Sequence, residues 1–170
     1  MTTEKKTPNI TVRVAGPDDL DAVMSLSLAA VEDNGFLNAD PSRLLQAVYP
    51  ALQQDGGIIG VTEEEDGTLS GGVLLHISKH WYSDAPFLEE KSVFISPNFR
   101  QAKGGRAARL VEFAKRASDT LGLPLLIGVL SSERTEGKVR MYQRFFGQPQ
   151  GAFFLYNGHT GGREHSEMLN

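Results

Sequence analysis

Apolar and polar residues change period along this chain in short blocks, and each change predicts a new element. Residues 10–14 alternate and are β-branched, the mark of a strand. Gly16, Pro17, Asp18 and Asp19 then supply a turn, a proline suited to a first helical turn, and acids for a helix N-terminus. Leu20, Val23, Met24, Leu28 and Val31 recur at three- and four-residue spacing, one apolar face of a helix that ends near Asn34 and Gly35. Asp40, Pro41 and Ser42 open a second, shorter helix through about Gln53, with Leu44, Leu45 and Val48 facing inward.

Residues 58–62 and 69–77 read as two strands joined by the acidic, glycine-containing connection Glu63, Glu64, Glu65, Asp66, Gly67, a hairpin pattern. Residues 78–86 break the alternation, and 87–95 resume it as a long strand closed by Ser96 and Pro97. Gly104 and Gly105 precede a helix whose buried stripe is Leu110, Val111, Ala114, Ala117 and Leu121. Gly122 and Pro124 end it. Residues 125–130 are mostly apolar, the form of a strand covered on both faces, and 135–146 read as a last helix with 152–156 as a last strand. This order predicts an α/β chain of the α+β type, a mixed sheet with helices on both faces, whose chemistry clusters at the strand-to-helix junction of residues 95–107.

Length and composition narrow the picture. A chain of 170 residues suits one domain, here 1–170 with 1–8 and 159–170 expected as flexible tails. Cysteine is absent, which excludes disulfides, thiolate metal sites and an acyl-cysteine intermediate. Residues 1–8 lack the apolar run of an ordinary signal peptide, and no segment approaches the roughly 20 apolar residues of a membrane span, so a cytoplasmic protein without a membrane partner is expected. A net charge of -4 gives no overall attraction to nucleic acid, and none is expected as a partner. The densest basic cluster, Arg100, Lys103, Arg106 and Arg109, lies at the glycine pair.

That cluster has a direct physical reading. Paired glycines let backbone approach a ligand closely, and the next helix offers free N–H groups and the positive end of its dipole, which suits a pyrophosphate ringed by Arg100, Lys103 and Arg106. The run from Val93 to Ala108 resembles motif A of the GNAT superfamily of N-acetyltransferases, with Ile95, Pro97, Phe99, Arg100, Gly105, Arg106 and Ala107 on pattern. Element order extends the resemblance from Ile10 to Tyr156, and the smaller phage and bacterial members are the most similar. Lys103 departs from it, standing where the family has its first glycine.

The resemblance implies a GNAT-like fold: a central, mostly antiparallel sheet with one splayed parallel strand pair. It also implies acetyl-CoA as donor and a primary amine, on a small molecule or peptide, as acceptor. Phe94, Ile95 and Ser96 would pair with the pantetheine arm. Arg100, Gln101, Ala102, Lys103, Gly104, Gly105, Arg106 and Ala107 would form the pyrophosphate loop. Homodimers occur in that family, and no segment of this chain identifies a dimer surface.

Transfer to an amine needs a base, because an amine of pKa about 10.4 is protonated at neutral pH, and an acid for the departing thiolate. Tyr142 matches the tyrosine that protonates sulfur in many family members, although Gly147 stands one residue farther from it than usual. Glu89 and Glu90 are both candidate bases; strand alternation turns them to opposite faces, and spacing to Arg100 slightly favours Glu89. His80, Trp81, Tyr82 and Asp33 are placed on the acceptor side. His76 and His80 lack an identifiable third ligand, and no metal is expected. Lys103 and the displaced Gly147 motivate an alternative function, a module that binds acyl-CoA without turnover.

Overall fold

The computed structural model describes residues 8–130 and 134–156. The expected tail 159–170 lies outside these, as does all of 1–8 except Pro8. The elements are β1 (Thr11–Val14), a 3-10 turn (Pro17–Asp19), α1 (Leu20–Asn34), α2 (Pro41–Leu52), β2 (Gly57–Glu63), β3 (Leu69–Lys79) and β4 (Pro86–Ile95). A second 3-10 turn (Pro97–Phe99), α3 (Arg106–Leu121), β5 (Leu125–Leu126) and α4 (Thr135–Phe146) complete them.

Local chemistry sets the element ends. The Asp40 carboxylate accepts from the Ser42 and Arg43 amides at 2.8 and 3.3 Å, capping α2 while Pro41 occupies a position that needs no donor. At the start of α1, Asp19 accepts from the Gly16 amide at 2.9 Å and is gripped by Arg13 at 2.8 and 2.9 Å. Arg13 also reaches Glu63, tying β1 to β2. Helix α3 ends in a left-handed Gly122, and the Leu123 amide returns to the Ser118 carbonyl at 3.2 Å. That reversal packs Leu123 beneath the sheet in place of Leu121, which is exposed, contrary to the stripe expected for this helix. Leu45, also expected inward, is exposed because α2 buries Val48, Ala51 and Leu52 instead.

The sheet runs β1-β2-β3-β4-β5, antiparallel throughout except for the parallel pair β4 and β5. Two apolar layers sandwich it. Val23 of α1 and Val48, Ala51 and Leu52 of α2 close on Ile59 and Val61 on one face. Leu110 and Ala114 of α3 close on Val73, Leu75 and Leu88 on the other. The helices therefore lie on both faces, as the alternation of elements requires.

Two expected strands are shortened or absent. Of residues 125–130 only Leu125 and Leu126 join the ladder, opposite Leu88 and Glu89, because beyond that point β5 parts from β4. Residues 152–156 form no strand. The two-residue β5 offers them almost no ladder, and Phe153 instead lays its ring against Gly128, while Phe154 and Tyr156 are exposed.

Leu110 sits fully buried where α3 meets the sheet. Leu110→Ala is expected to lower stability by about 2–5 kcal/mol in urea unfolding, the range for a buried leucine that leaves a cavity.

Candidate active site

The parting of β4 and β5 leaves a groove of about 690 Å³. Its walls are Val93, Phe94 and Ile95 of β4, Asp33 and Asn34 at the end of α1, Ala107 of α3, and Lys138, Met141 and Tyr142 of α4. Strand pairing decides what β4 offers the groove. The Ser96 amide donates to the Ser70 carbonyl at 2.9 Å, so Ser96 and, two residues earlier, Phe94 spend their backbone groups on β3. Val93 and Ile95 turn theirs toward the gap. Of the three residues expected to present a backbone edge, Ile95 does so, Phe94 and Ser96 do not, and Val93 was missed. The Ile95 carbonyl is already taken by the Arg100 Nε at 3.0 Å, which leaves its amide.

A bulge in β4 fixes which carboxylate faces α3, although neither Glu89 nor Glu90 is among the residues that line the groove. Leu75 pairs with Glu90 and Leu74 with Ser92, so Lys91 is the extra residue. Glu90 thereby lies opposite Leu75, on the face covered by α3, near enough to Lys138 to feel its charge and to Tyr142 for the Glu90 charge to act on that hydroxyl. Glu89 faces the other way, accepting from Ser78 Oγ at 2.7 Å and Lys91 Nζ at 2.6 Å. Spacing slightly favours Glu89; in the fold it is Glu90 that shares the face of Leu75 and α3. The bulge that decides it has no mark in the sequence.

The electrostatics separate these groups. Burial pushes the Glu90 carboxyl up to about 7, against the pull of the Lys138 ammonium. Burial raises Glu89 too, but Lys91 and Ser78 outweigh it and hold that carboxyl below its ordinary value. Burial, then the charge of Glu90, drives the Tyr142 hydroxyl well above the usual tyrosine range, so it keeps its proton. Burial lowers the Lys138 ammonium, which donates to Asn34 Oδ1 at 3.2 Å. Lys138 and Asn34 carried no separate signal in the sequence beyond their places near element ends.

The glycine loop runs between two residues that line the groove, Arg100 and Ala107. Gly104 has φ 129°, and a Cβ there would run into Ile10 Cδ1; Gly105 caps α3 at φ 61°. Both conformations favour glycine. The first helical bond reaches from the Arg109 amide to the Gly105 carbonyl, so the amides of Arg106, Ala107 and Ala108 have no helical acceptor. Gln101, Ala102 and Lys103 are exposed, and the Lys103 side chain does not enter the loop's interior.

The basic side chains are less available than their spacing implies. Arg106 is 5% exposed and turned beneath the loop, paired with Glu64 through Nε at 2.7 Å and Nη2 at 2.8 Å. Arg100 lines the groove yet pairs with Asp33 at 2.8 Å and lies over the Phe94 ring at 5.1 Å. Glu64 was read only as part of an acidic hairpin; nothing local marks it as Arg106's partner 42 residues away.

His80, Trp81 and Tyr82 are not brought to the groove. They occupy the tip of the β3–β4 hairpin, at the opposite end of a ten-residue strand about 30 Å long from the glycine loop, with Trp81 90% exposed. His80 and Tyr82 rings stand 4.4 Å apart there. His76 bonds the Ala47 carbonyl at 3.0 Å, and among the described residues no cluster of three ligating side chains suits a metal ion. No helix among the described residues is long and apolar enough to cross a membrane.

Comparison with solved structures places this architecture. The chain has the fold of N-acetyltransferases of the GNAT type. An aminoglycoside acetyltransferase, AAC(6')-Iy, solved with the bisubstrate analogue CoA-S-monomethyl-acetylneamine, superposes with a TM-score of 0.67 at 17% identity, over 88% of this chain and 97% of that one. A possible acetyltransferase from Clostridium difficile 630 gives 0.65 at 17% identity, over 87% and 97%. AAC(6')-Ih from Acinetobacter baumannii gives 0.63 at 12%, over 88% and 99%. No protein-family model matches the chain, and no curated protein matches it by sequence.

The two glutamates give a test of the site's electrostatics. Carbon-13 NMR of the carboxyl groups is expected to show Glu90 titrating near pH 7 and Glu89 below the ordinary glutamate range. Because Glu90's value is raised on folding, stability is lost as pH climbs from about 4.5 through 7. Glu90→Gln should flatten that decline in urea unfolding measured at pH 5 and pH 8.

Proposed function

We propose that this chain is an N-acetyltransferase that moves acetyl from acetyl-CoA to a primary amine by direct transfer. The groove carries this reading: it lies beside a parallel pair that parts after two residues, with strand amides that face away from β3 on one wall and Arg100 and Ala107, which flank the glycine loop, in its lining. A pantetheine arm is built of amides and methylenes, and it suits such an edge as an added strand suits a sheet. Val93 and Ile95 would pair with it. The free amides at the start of α3 would hold the diphosphate, helped by the helix dipole.

The acid and base fall to two groups that burial shifts upward from different starting values, one to near neutrality and the other farther above it. Glu90, whose carboxyl sits near 7, takes the proton from the amine, whose nitrogen then attacks the thioester carbonyl carbon. As the C–S bond breaks, Tyr142 gives its hydroxyl proton to the sulfur. It is reprotonated by the second proton that the attacking nitrogen gives up, directly or through water, while Glu90 later releases its proton to solvent. A hydroxyl held protonated by burial is suited to that step. The binding-only alternative loses one of its motives, since Lys103 is exposed, and Tyr142 lines the groove despite the displaced Gly147.

The acceptor is a primary amine on a small molecule or peptide. Aminoglycosides belong in the panel because AAC(6') enzymes share the fold, alongside polyamines, amino acids and peptides. Calorimetry with acetyl-CoA and release of free thiol across that panel test the proposal: binding and release with at least one amine are expected. Binding without release for every amine would favour the binding-only alternative, and neither would end the proposal.

For an active acceptor, the rate is expected to rise through about pH 7 as Glu90 loses its proton. Glu90→Gln should abolish that rise, and Tyr142→Phe should lower kcat by roughly 100-fold while coenzyme A binding persists. Full turnover in Tyr142→Phe would remove the tyrosine from the mechanism.

A further inference from the structure

Arg106 sits where the motif's resemblance anticipates charge around a phosphate, yet its guanidinium is spent underneath. It makes a two-point pair with Glu64, with Nε at 2.7 Å and Nη2 at 2.8 Å, and Nε also lies 3.2 Å from Ser70 Oγ. Its remaining nitrogen, Nη1, donates to the Lys103 carbonyl at 2.9 Å, with the Ala102 carbonyl at a long 3.5 Å. The Phe99 ring covers the group at 5.0 Å. Glu64 is held below the ordinary glutamate range by Arg106, so the pair is ionic across the neutral range.

Such a pair stabilises little by itself, because desolvating two charges offsets most of their attraction. Its geometric effect is larger. A peptide unit carries its carbonyl and its N–H on opposite sides, so a cation that draws a loop carbonyl inward turns the adjoining amide outward. Arg106 does this to the Lys103–Gly104 peptide, at the point where the two glycines let the chain turn. Ser70, which Arg106 also touches, is the residue whose carbonyl fixes Ser96 at the end of β4. One buried guanidinium therefore registers the loop against both the β2–β3 hairpin and the strand edge.

We propose that Glu64 and Arg106 are positioning residues for the donor loop, orienting its amides toward the diphosphate without touching the ligand. This rests on the acetyl-CoA reading above. It assigns the acidic hairpin, 42 residues from the loop, a part in donor recognition.

Two donors separate the loop from the rest of the site: acetyl-CoA, and S-acetylpantetheine, which keeps the arm and thioester but lacks the diphosphate. In Glu64→Gln and Arg106→Met the KM for acetyl-CoA is expected to rise on the order of 10- to 100-fold, with kcat near wild type and the use of S-acetylpantetheine unchanged. Arg106→Lys should recover only part of the loss, since one ammonium cannot serve Glu64 and the Lys103 carbonyl together. An unchanged KM, or equal losses on both donors, would overturn the proposal.

The wild-type protein gives a check that needs no variant. The Arg106 Nε–H resonance should be protected from exchange in the free protein and stay in place when coenzyme A is added, while the amides of Gly104, Gly105 and Ala107 shift. A large shift at Arg106 Nε–H would mean that the guanidinium leaves Glu64 for the phosphate, and would overturn the proposal. A wild-type chain that uses neither donor would instead remove the acetyltransferase reading beneath it.

Discussion

A strand buried inside a sheet satisfies its backbone on both edges, and β4 does so only for its first half. Toward β3 it is paired from Pro86 to Ile95; toward β5 it is paired at Leu88 and Glu89 and then released. Unpaired backbone within a fold carries a cost unless water or a ligand meets it. The groove exists because the fold bears that cost, and Val93, Ile95 and Tyr142 all line it. Helix α4 and the end of α1 line the opening, together with Arg100 and Ala107, which flank the glycine loop.

The opening also needs something to hold its sides apart and in register. Three polar contacts across it do so: Arg100 to Asp33, Lys138 to Asn34, and Arg106 to Glu64 behind the loop. Each joins an element of the β4–α3–α4 half to one from the first 64 residues. Their contribution lies more in specifying one arrangement than in raw stability, since part-buried charges give back much of what they gain. The apolar layers around Leu110 and Val48 supply the stability instead.

The same partial burial sets the chemistry proposed for the site. Glu90 and Tyr142 lie on the face that α3 and α4 cover, and loss of water raises both, leaving one near neutrality and the other protonated. Glu89, one residue away, stays an ordinary ionised carboxylate because Ser78 and Lys91 meet it. Environment moves two identical side chains in opposite directions from the ordinary glutamate value.

The sequence by itself determined the element order, the ends of the helices, the glycine pair and the loop that follows β4. These depend on periodicity, caps and φ preferences, which act within a few residues. Tyr142 and the loop were legible for that reason, as part of a resemblance carried by contiguous motifs. The tertiary structure decided what distance in the chain conceals. It turned Arg106 to Glu64, put Glu90 rather than Glu89 on the α3 face through a bulge at Lys91, and set His80, Trp81 and Tyr82 at a hairpin tip. It also left residues 152–156 without a ladder, although their pattern suits a strand. Pairing partners, strand register and burial are properties of the assembled sheet, and a run of residues read alone carries no record of them.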